Sequence, residues 1–154
     1  MSIIFQNLDG KSFFKEDFTK WLTDVITDLL REYNLTGGEV GVIIAGDGLL
    51  HKLNLQYRAK DAPTDVLSFC YLDDIGEQID ENEFAVGDIY ISRDRVKAQA
   101  EETGHSLQRE AALLVIHGTL HLLGFDHDQD DDAKLMQQKE RSLMEIYDLH
   151  FAEG

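Results

Sequence analysis

His117, His121 and His127 stand in the spacing H-x-x-x-H-x-x-G-x-x-H, with Gly124 between the second and third histidines. Two histidines four apart on a helix lie on one face, one turn above the other. A glycine three residues later can turn the chain out of the helix by adopting positive φ. The third histidine then folds back toward the first two. Three neutral imidazole nitrogens at about 2.0–2.1 Å, with the fourth position open, make the tetrahedral site of a catalytic zinc. The spacing therefore predicts one Zn2+ per chain, held by His117, His121 and His127.

The same segment excludes a protease. Zinc proteases with this ligand spacing carry a glutamate directly after the first histidine as general base. That place is Gly118, which has no side chain to take a proton. The bland alternative is three histidines packed or solvated around a helix C-terminus; the glycine and the spacing together favour the metal. His51, His105 and His150 have no partner at ligand spacing and read as solvated.

The elements that must position these residues follow from periodicity. Ser2–Leu8 reads as a short strand. Asp17–Tyr33 reads as a helix with Phe18, Trp21, Leu22, Val25, Ile26, Leu29 and Leu30 on one stripe, closed by Gly37-Gly38. Glu39–Ala45 is a β-branched apolar run, hence a strand. Gly46–Arg58 reads as a second helix, with Leu49, Leu50, Leu53 and Tyr57 at helical spacing. Asp65–Leu72 and Phe84–Ser92 are two more strands, separated by the acidic stretch Asp73–Glu83. A short helix over Asp94–Glu102 is followed by Ser106–Leu123, whose Ala111–Ile116 is apolar nearly all round and so belongs to a central buried helix. Asp130–Tyr147 closes the chain with Met136, Leu143, Met144 and Tyr147 inward. The sum is a single α/β domain over residues 1–154, with a mixed sheet of about four strands packed with about five helices.

Bulk properties agree. A chain of 154 residues with ordinary apolar content supports one soluble domain with a real core. The single cysteine, Cys70, lies in an apolar run and reads as a buried reduced thiol, so a cytoplasmic setting is expected. The N-terminal residues have neither a basic region nor a long apolar stretch, and no window approaches the ~20 apolar residues of a membrane span. A net charge of −16 argues against a broadly basic nucleic-acid binder but leaves room for a local basic patch. Two clusters qualify: Lys52, Arg58 and Lys60, then Arg93, Arg95 and Lys97.

The segment Asn54–Phe69 runs from a helix end through a turn into a strand. Pro63 fixes φ and Asp65 can close an Asx-type turn, which gives Thr64 and Asp65 a structural account. Arg58 adds a planar donor fork suited to phosphate oxygens. Arg58, Lys60, Thr64 and Asp65 are the candidate substrate contacts. Farther on, Asp126, Asp128, Asp130, Asp131 and Asp132 begin like a calcium loop. The sixth place is Asp131 rather than glycine and the twelfth Gln137 rather than glutamate, so that reading fails. Asp130 caps the last helix, the acids complement its dipole, and Asp126 or Asp128 can orient a ligand histidine.

Three motifs in register, His117-Gly-Thr-Leu-His-Leu-Leu-Gly-Phe-Asp-His127, Pro63-Thr-Asp-Val-Leu-Ser-Phe69 and Gly87-Asp-Ile-Tyr-Ile-Ser92, resemble the YbeY family of bacterial rRNA-maturation endoribonucleases. The likeness runs from about Glu39 to Leu149. It implies an α/β sandwich with a zincin-like metal-site arrangement, and a zinc-dependent single-strand endoribonuclease. It also implies action in 16S rRNA 3′-end maturation and ribosome quality control, with the small subunit or a ribosomal protein as partner. By the same resemblance His117, His121 and His127 bind the metal and Arg58 is the basic residue needed for activity.

The expected chemistry is metal-assisted phosphodiester cleavage, with Arg58 as the catalytic cation that holds the phosphate and stabilises developing charge. Two rivals use the same residues: a metallohydrolase of another small ester or amide, and a non-catalytic ribosome-assembly factor stapled by zinc. An open fourth coordination position separates the enzymes from the staple.

Overall fold

Ile3–Asn7 (β1) is joined through the amphipathic helix Glu16–Glu32 (α1) to Gly38–Ala45 (β2), and the two strands pair in parallel with Ile3 beside Val40. The computed structural model describes residues 2–8, 14–72, 84–125 and 130–151 of the 154-residue chain. The remaining elements are Asp47–Arg58 (α2), Val66–Cys70 (β3), Phe84–Ser92 (β4), Arg93–Thr103 (α3), Leu107–Leu122 (α4) and Asp130–Phe151 (α5). The sheet order is β1-β2-β4-β3. β4 runs parallel to β2, whereas β3 lies antiparallel to β4 at the edge, with Ser68 opposite Ile89. Among the described residues this is the mixed four-stranded sheet with five helices, in one α/β domain, that periodicity predicts.

Alternation along the strands divides the core in two. Val40, Val42, Ile44, Ile89 and Ile91 face the main core together with Phe18, Leu22 and Ile26 of α1, Ile116 and Leu120 of α4, and Met144 and Tyr147 of α5. The other face holds a smaller cluster, Ala45, Leu50 and Leu67, with Phe69 and Tyr90 packed against it under α2. The edge strand β3 is therefore sandwiched: Leu67 and Phe69 turn toward α2, Ser68 and Cys70 toward α4. α4 comes this close because glycines line the contact. A Cβ at Gly87 would stand 2.3 Å from the Phe69 carbonyl and 2.6 Å from Leu122, and one at Gly118 would meet Ile89 at 2.9 Å and Ser68 at 3.0 Å.

Several expectations shift. Cys70 is exposed rather than buried, because β3 is the edge strand of the sheet. Tyr57 continues the α2 stripe by spacing but is 57 % exposed, on the last turn of a helix that ends one residue later. Asp130 is the first helical residue of α5, and its first-turn acids do lie at the positive end of the helix dipole. His105 and His150 are exposed and His51 half-exposed, in keeping with the solvated reading, while His51 Nε2 lies 2.7 Å from Asp61, His105 Nδ1 lies 2.8 Å from Glu110, and the His150 ring packs on Trp21 and Phe151.

Candidate metal centre and groove

α4 brings His117 and His121 onto one face, one turn apart, with their Nε2 atoms 3.1 Å from each other. The helix then ends as glycine C-caps dictate. Gly124 takes φ +100°, its N–H donates to the His121 carbonyl at 3.0 Å, and the Phe125 N–H donates to the Leu120 carbonyl at 3.0 Å. These are the two paired bonds of a Schellman turn. The turn also folds the Phe125 carbonyl back over the helix end, where it accepts from His121 Nδ1 at 3.1 Å. Gly124 thus does more than stop the helix: it sets the tautomer of a ring one turn before it.

His117 is oriented from the other side. Its Nδ1 bonds to the Glu140 carboxylate on α5. With both Nδ1 atoms donating, the network assigns a lone pair to each Nε2. Two such lone pairs at that distance can be shared by one cation. Ligands of a tetrahedral zinc with Zn–N of about 2.0–2.1 Å stand about 3.3 Å apart, close to the separation found. A carboxylate or a backbone carbonyl behind each ligating imidazole is the usual outer support of a zinc site. The donor set fits zinc. Among the described residues no group of three His, Cys, Asp or Glu stands together as a metal cluster. His127, expected as the third ligand, lies outside the described residues, as do Asp126 and Asp128 and the acidic stretch 73–83.

The histidine pair opens into a groove of about 1200 Å³ that straddles the free edge of β3. One bank is the end of α2 and the turn after it, with Tyr57, Arg58 and Lys60; the other carries His117, His121 and Phe125. The antiparallel ladder fixes what the edge offers. Ser92 N–H bonds to the Asp65 carbonyl and Tyr71 N–H to the Val86 carbonyl, so the odd-numbered residues of β3 pair with β4 and the backbone groups of 66, 68 and 70 point outward. Arg58 uses one of them: its Nη2 donates to the Ser68 carbonyl at 2.7 Å, with its guanidinium carbon 5.7 Å from the centre of the Phe69 ring.

The turn after α2 is shaped by Ala59, which takes the left-handed conformation at φ 57°, and by Asn54, whose buried amide donates to the Ala62 carbonyl at 2.9 Å. Thr64 and Asp65 also line the groove, but each has a local bond: Thr64 Oγ1 to the Val66 carbonyl at 3.4 Å, and Gln99 Nε2 to the Asp65 carboxylate at 3.0 Å. Of the second basic cluster, Arg95 bonds to Asp47 at 3.2 Å and ties α3 to α2. Tyr71 also borders the groove, and its hydroxyl donates to Asp88 at 2.7 Å. That hydrogen bond, with burial adding to it, pushes the phenol well above its usual range, so Tyr71 stays protonated and is no general base near neutral pH.

Sequence reasoning missed Glu140, the Phe125 carbonyl and Asn54. Glu140 lies on another helix with no fixed offset from His117, and a backbone carbonyl has no sequence signature at all. The glycine at position 124 was the one available signal for the turn that delivers the carbonyl.

A profile of the family described as endoribonuclease YbeY matches residues 4–148. A protein named endoribonuclease YbeY from Pelotomaculum thermopropionicum is 42% identical over 147 residues, covering 94% of this chain and 95% of its own length. The Bacillus subtilis protein of the same name is 38% identical over 155 residues, covering 97% and 98%. In three dimensions the chain is similar to the solution structure of a Thermotoga maritima protein, with a TM-score of 0.65 and 26% identity over 97% of this chain and 91% of that one.

Proposed function

The chain belongs to the YbeY endoribonuclease family, and from that premise we propose that it cleaves single-stranded RNA in the groove between Arg58 and the His117–His121 pair. The observation that carries the reading is the groove itself: a fixed guanidinium on one bank and two opposed imidazole nitrogens on the other, astride an open strand edge. Such a channel would take an extended polynucleotide strand, with a phosphodiester between the two banks.

His117, His121 and His127 would hold one zinc ion. When bound, zinc supplies Lewis-acid polarisation of a phosphoryl oxygen and lowers the pKa of water toward ~7, which lessens the need for the base that Gly118 lacks. Glu140 and the Phe125 carbonyl keep the imidazoles in the tautomer that presents Nε2. Arg58 is permanently charged. Its bond to Ser68 fixes the fork at the strand edge while its other N–H groups remain to grip a phosphate and to stabilise charge that develops on it. Lys60 adds a second positive charge on the same bank. Thr64 and Asp65 shape the bank through their local bonds.

The physiological substrate we assign is the 3′ end of the 16S rRNA precursor, acted on in the cytoplasm as part of ribosome maturation. Among the described residues no helix is long and apolar enough to cross a membrane. The net charge of −16 repels RNA over most of the surface, so bare RNA is held through few phosphates. A shallow salt dependence follows, with log K against log salt sloping roughly −1.5 to −3 at about 0.7 per phosphate. The small subunit or a ribosomal protein supplies the remaining affinity.

The test is cleavage of a defined single-stranded RNA by metal-stripped and zinc-reloaded protein, beside a panel of peptides and esters. RNA cleavage that returns with zinc, and no turnover of the panel, is the expected result. Hydrolysis of the panel without RNA cleavage would transfer the site to another metallohydrolase. The RNA termini name the nucleophile, because a 2′,3′-cyclic phosphate requires the substrate 2′-hydroxyl.

A further inference from the structure

Tyr57 is an anomaly of the groove. By spacing it lines up with Leu49, Leu50 and Leu53 of α2, yet 57 % of it is exposed on the bank that carries Arg58. It is not loose. The Phe69 ring meets it edge-on, with centroids 5.2 Å apart and planes at 74°, and Phe69 is braced in turn by Tyr90 at 5.7 Å and 88°. A row of three aromatic rings thus runs from the sheet to the rim, and only the last, Tyr57, is largely exposed to solvent. The Arg58 guanidinium lies against the same Phe69 ring at 5.7 Å, so the phosphate donor and the exposed ring share one support and lie within reach of a single nucleotide.

We infer that Tyr57 is a stacking platform for one base of the single-stranded substrate, next to the phosphate that Arg58 grips. This rests on the reading of the groove as an RNA channel and names a subsite within it. Every base has a π-face, so the contact tolerates any sequence, as a nuclease of unpaired RNA requires. The paired base of a duplex has no free face to offer, so the platform selects for single strands. The local charge favours this occupant: Arg58 and Lys60 flank the ring in a chain that is otherwise strongly acidic. The braced, T-shaped geometry holds the ring before substrate arrives, so little ordering entropy is lost on binding.

The experiment reads binding apart from cleavage. The probes are a short fluorescent single-stranded RNA and the same RNA with one abasic nucleotide moved along it. They are titrated into the full-length wild type and into Tyr57→Leu and Tyr57→Phe, with KM and kcat measured in parallel. Tyr57→Leu keeps apolar bulk at an exposed position and removes the π-face. It should weaken RNA binding and raise KM by about 5- to 150-fold with kcat little changed, while Tyr57→Phe stays near wild type. One abasic position should cost the wild type a similar factor and cost Tyr57→Leu nothing further. If Tyr57→Leu binds as tightly as wild type, or if no abasic position loses its penalty in that variant, the platform is refuted. RNA bound in this pattern but left uncut would instead refute the nuclease reading and leave the stacking subsite standing.

Discussion

The Nε2 atoms of His117 and His121 face each other at 3.1 Å because each ring is anchored by its other nitrogen, one to Glu140 and one to the Phe125 carbonyl. The two anchors come from different places, a neighbouring helix and the turn closing the same helix. The Glu140 carboxylate can be removed without touching a ligand atom, whereas the Phe125 carbonyl is main chain and is set by the turn at Gly124.

Glu140 is the first to test. Glu140→Ala should weaken zinc binding by about 10- to 100-fold, the usual effect of removing the carboxylate behind a ligating histidine. Glu140→Gln keeps an acceptor but loses the charge, and should fall between. Competition titration against a chromophoric chelator measures both. Unchanged affinity in the alanine variant would leave His117 without its supposed orienter.

Arg58 is exposed and lies outside both hydrophobic clusters, so Arg58→Ala should leave metal content and Tm nearly unchanged. RNA cleavage should fall by about 10- to 100-fold in kcat/KM, as hydrogen bonds to a charged group are worth about 1.5–3 kcal/mol. Arg58→Lys should recover only part, for want of the planar fork. Steady-state kinetics on one RNA checks all three proteins.

Gly118 does not face the groove as a vacant base position. It packs on Ile89 and Ser68, where a Cβ would already stand at 2.9 and 3.0 Å. Gly118→Glu, which restores the protease signature on paper, should therefore overpack the contact between α4 and the sheet. We expect a loss of about 1–3 kcal/mol in chemical denaturation, and no peptidase activity.

α5, which carries Glu140, is also clamped to α4 by Arg109 and Asp148, with N–O distances of 2.9 and 3.1 Å. The hydrogen bond from Arg109 holds the Asp148 carboxyl below its usual range. A depressed carboxylate pKa stabilises the fold above the ordinary carboxylate range, and that contribution is lost as pH falls through the depressed value. Thermal melts should show Asp148→Asn below wild type at neutral pH, with the gap closing as both are acidified below about pH 4. Half-exposure of Asp148 keeps the gap small.

How far these features were legible in the sequence depends on how local they are. The strands, the helices and the His117–His121 face follow from periods of two and 3.6 residues, and Gly124 announces the turn. Strand order is not periodic information. That β3 is an edge, and so that Cys70 is exposed and Ser68 offers its carbonyl to Arg58, depends on pairing between distant segments. The Glu140–His117 bond depends likewise on how α5 docks on α4. Tyr57 stands in α2 at the spacing the sequence shows, but its exposure is not legible there, because helical spacing gives the direction of a side chain and not whether anything covers it.

The most direct measurement is the metal itself. Elemental analysis and zinc titration of the metal-stripped full-length protein should give about one ion per chain, and His121→Ala should lose most of it, since two ligands cannot match a three-histidine site. RNA cleavage should disappear with the metal. An alanine variant that binds zinc as the wild type does, or cuts RNA as well without it, would contradict the assignment of His117 and His121 as the centre of the reaction.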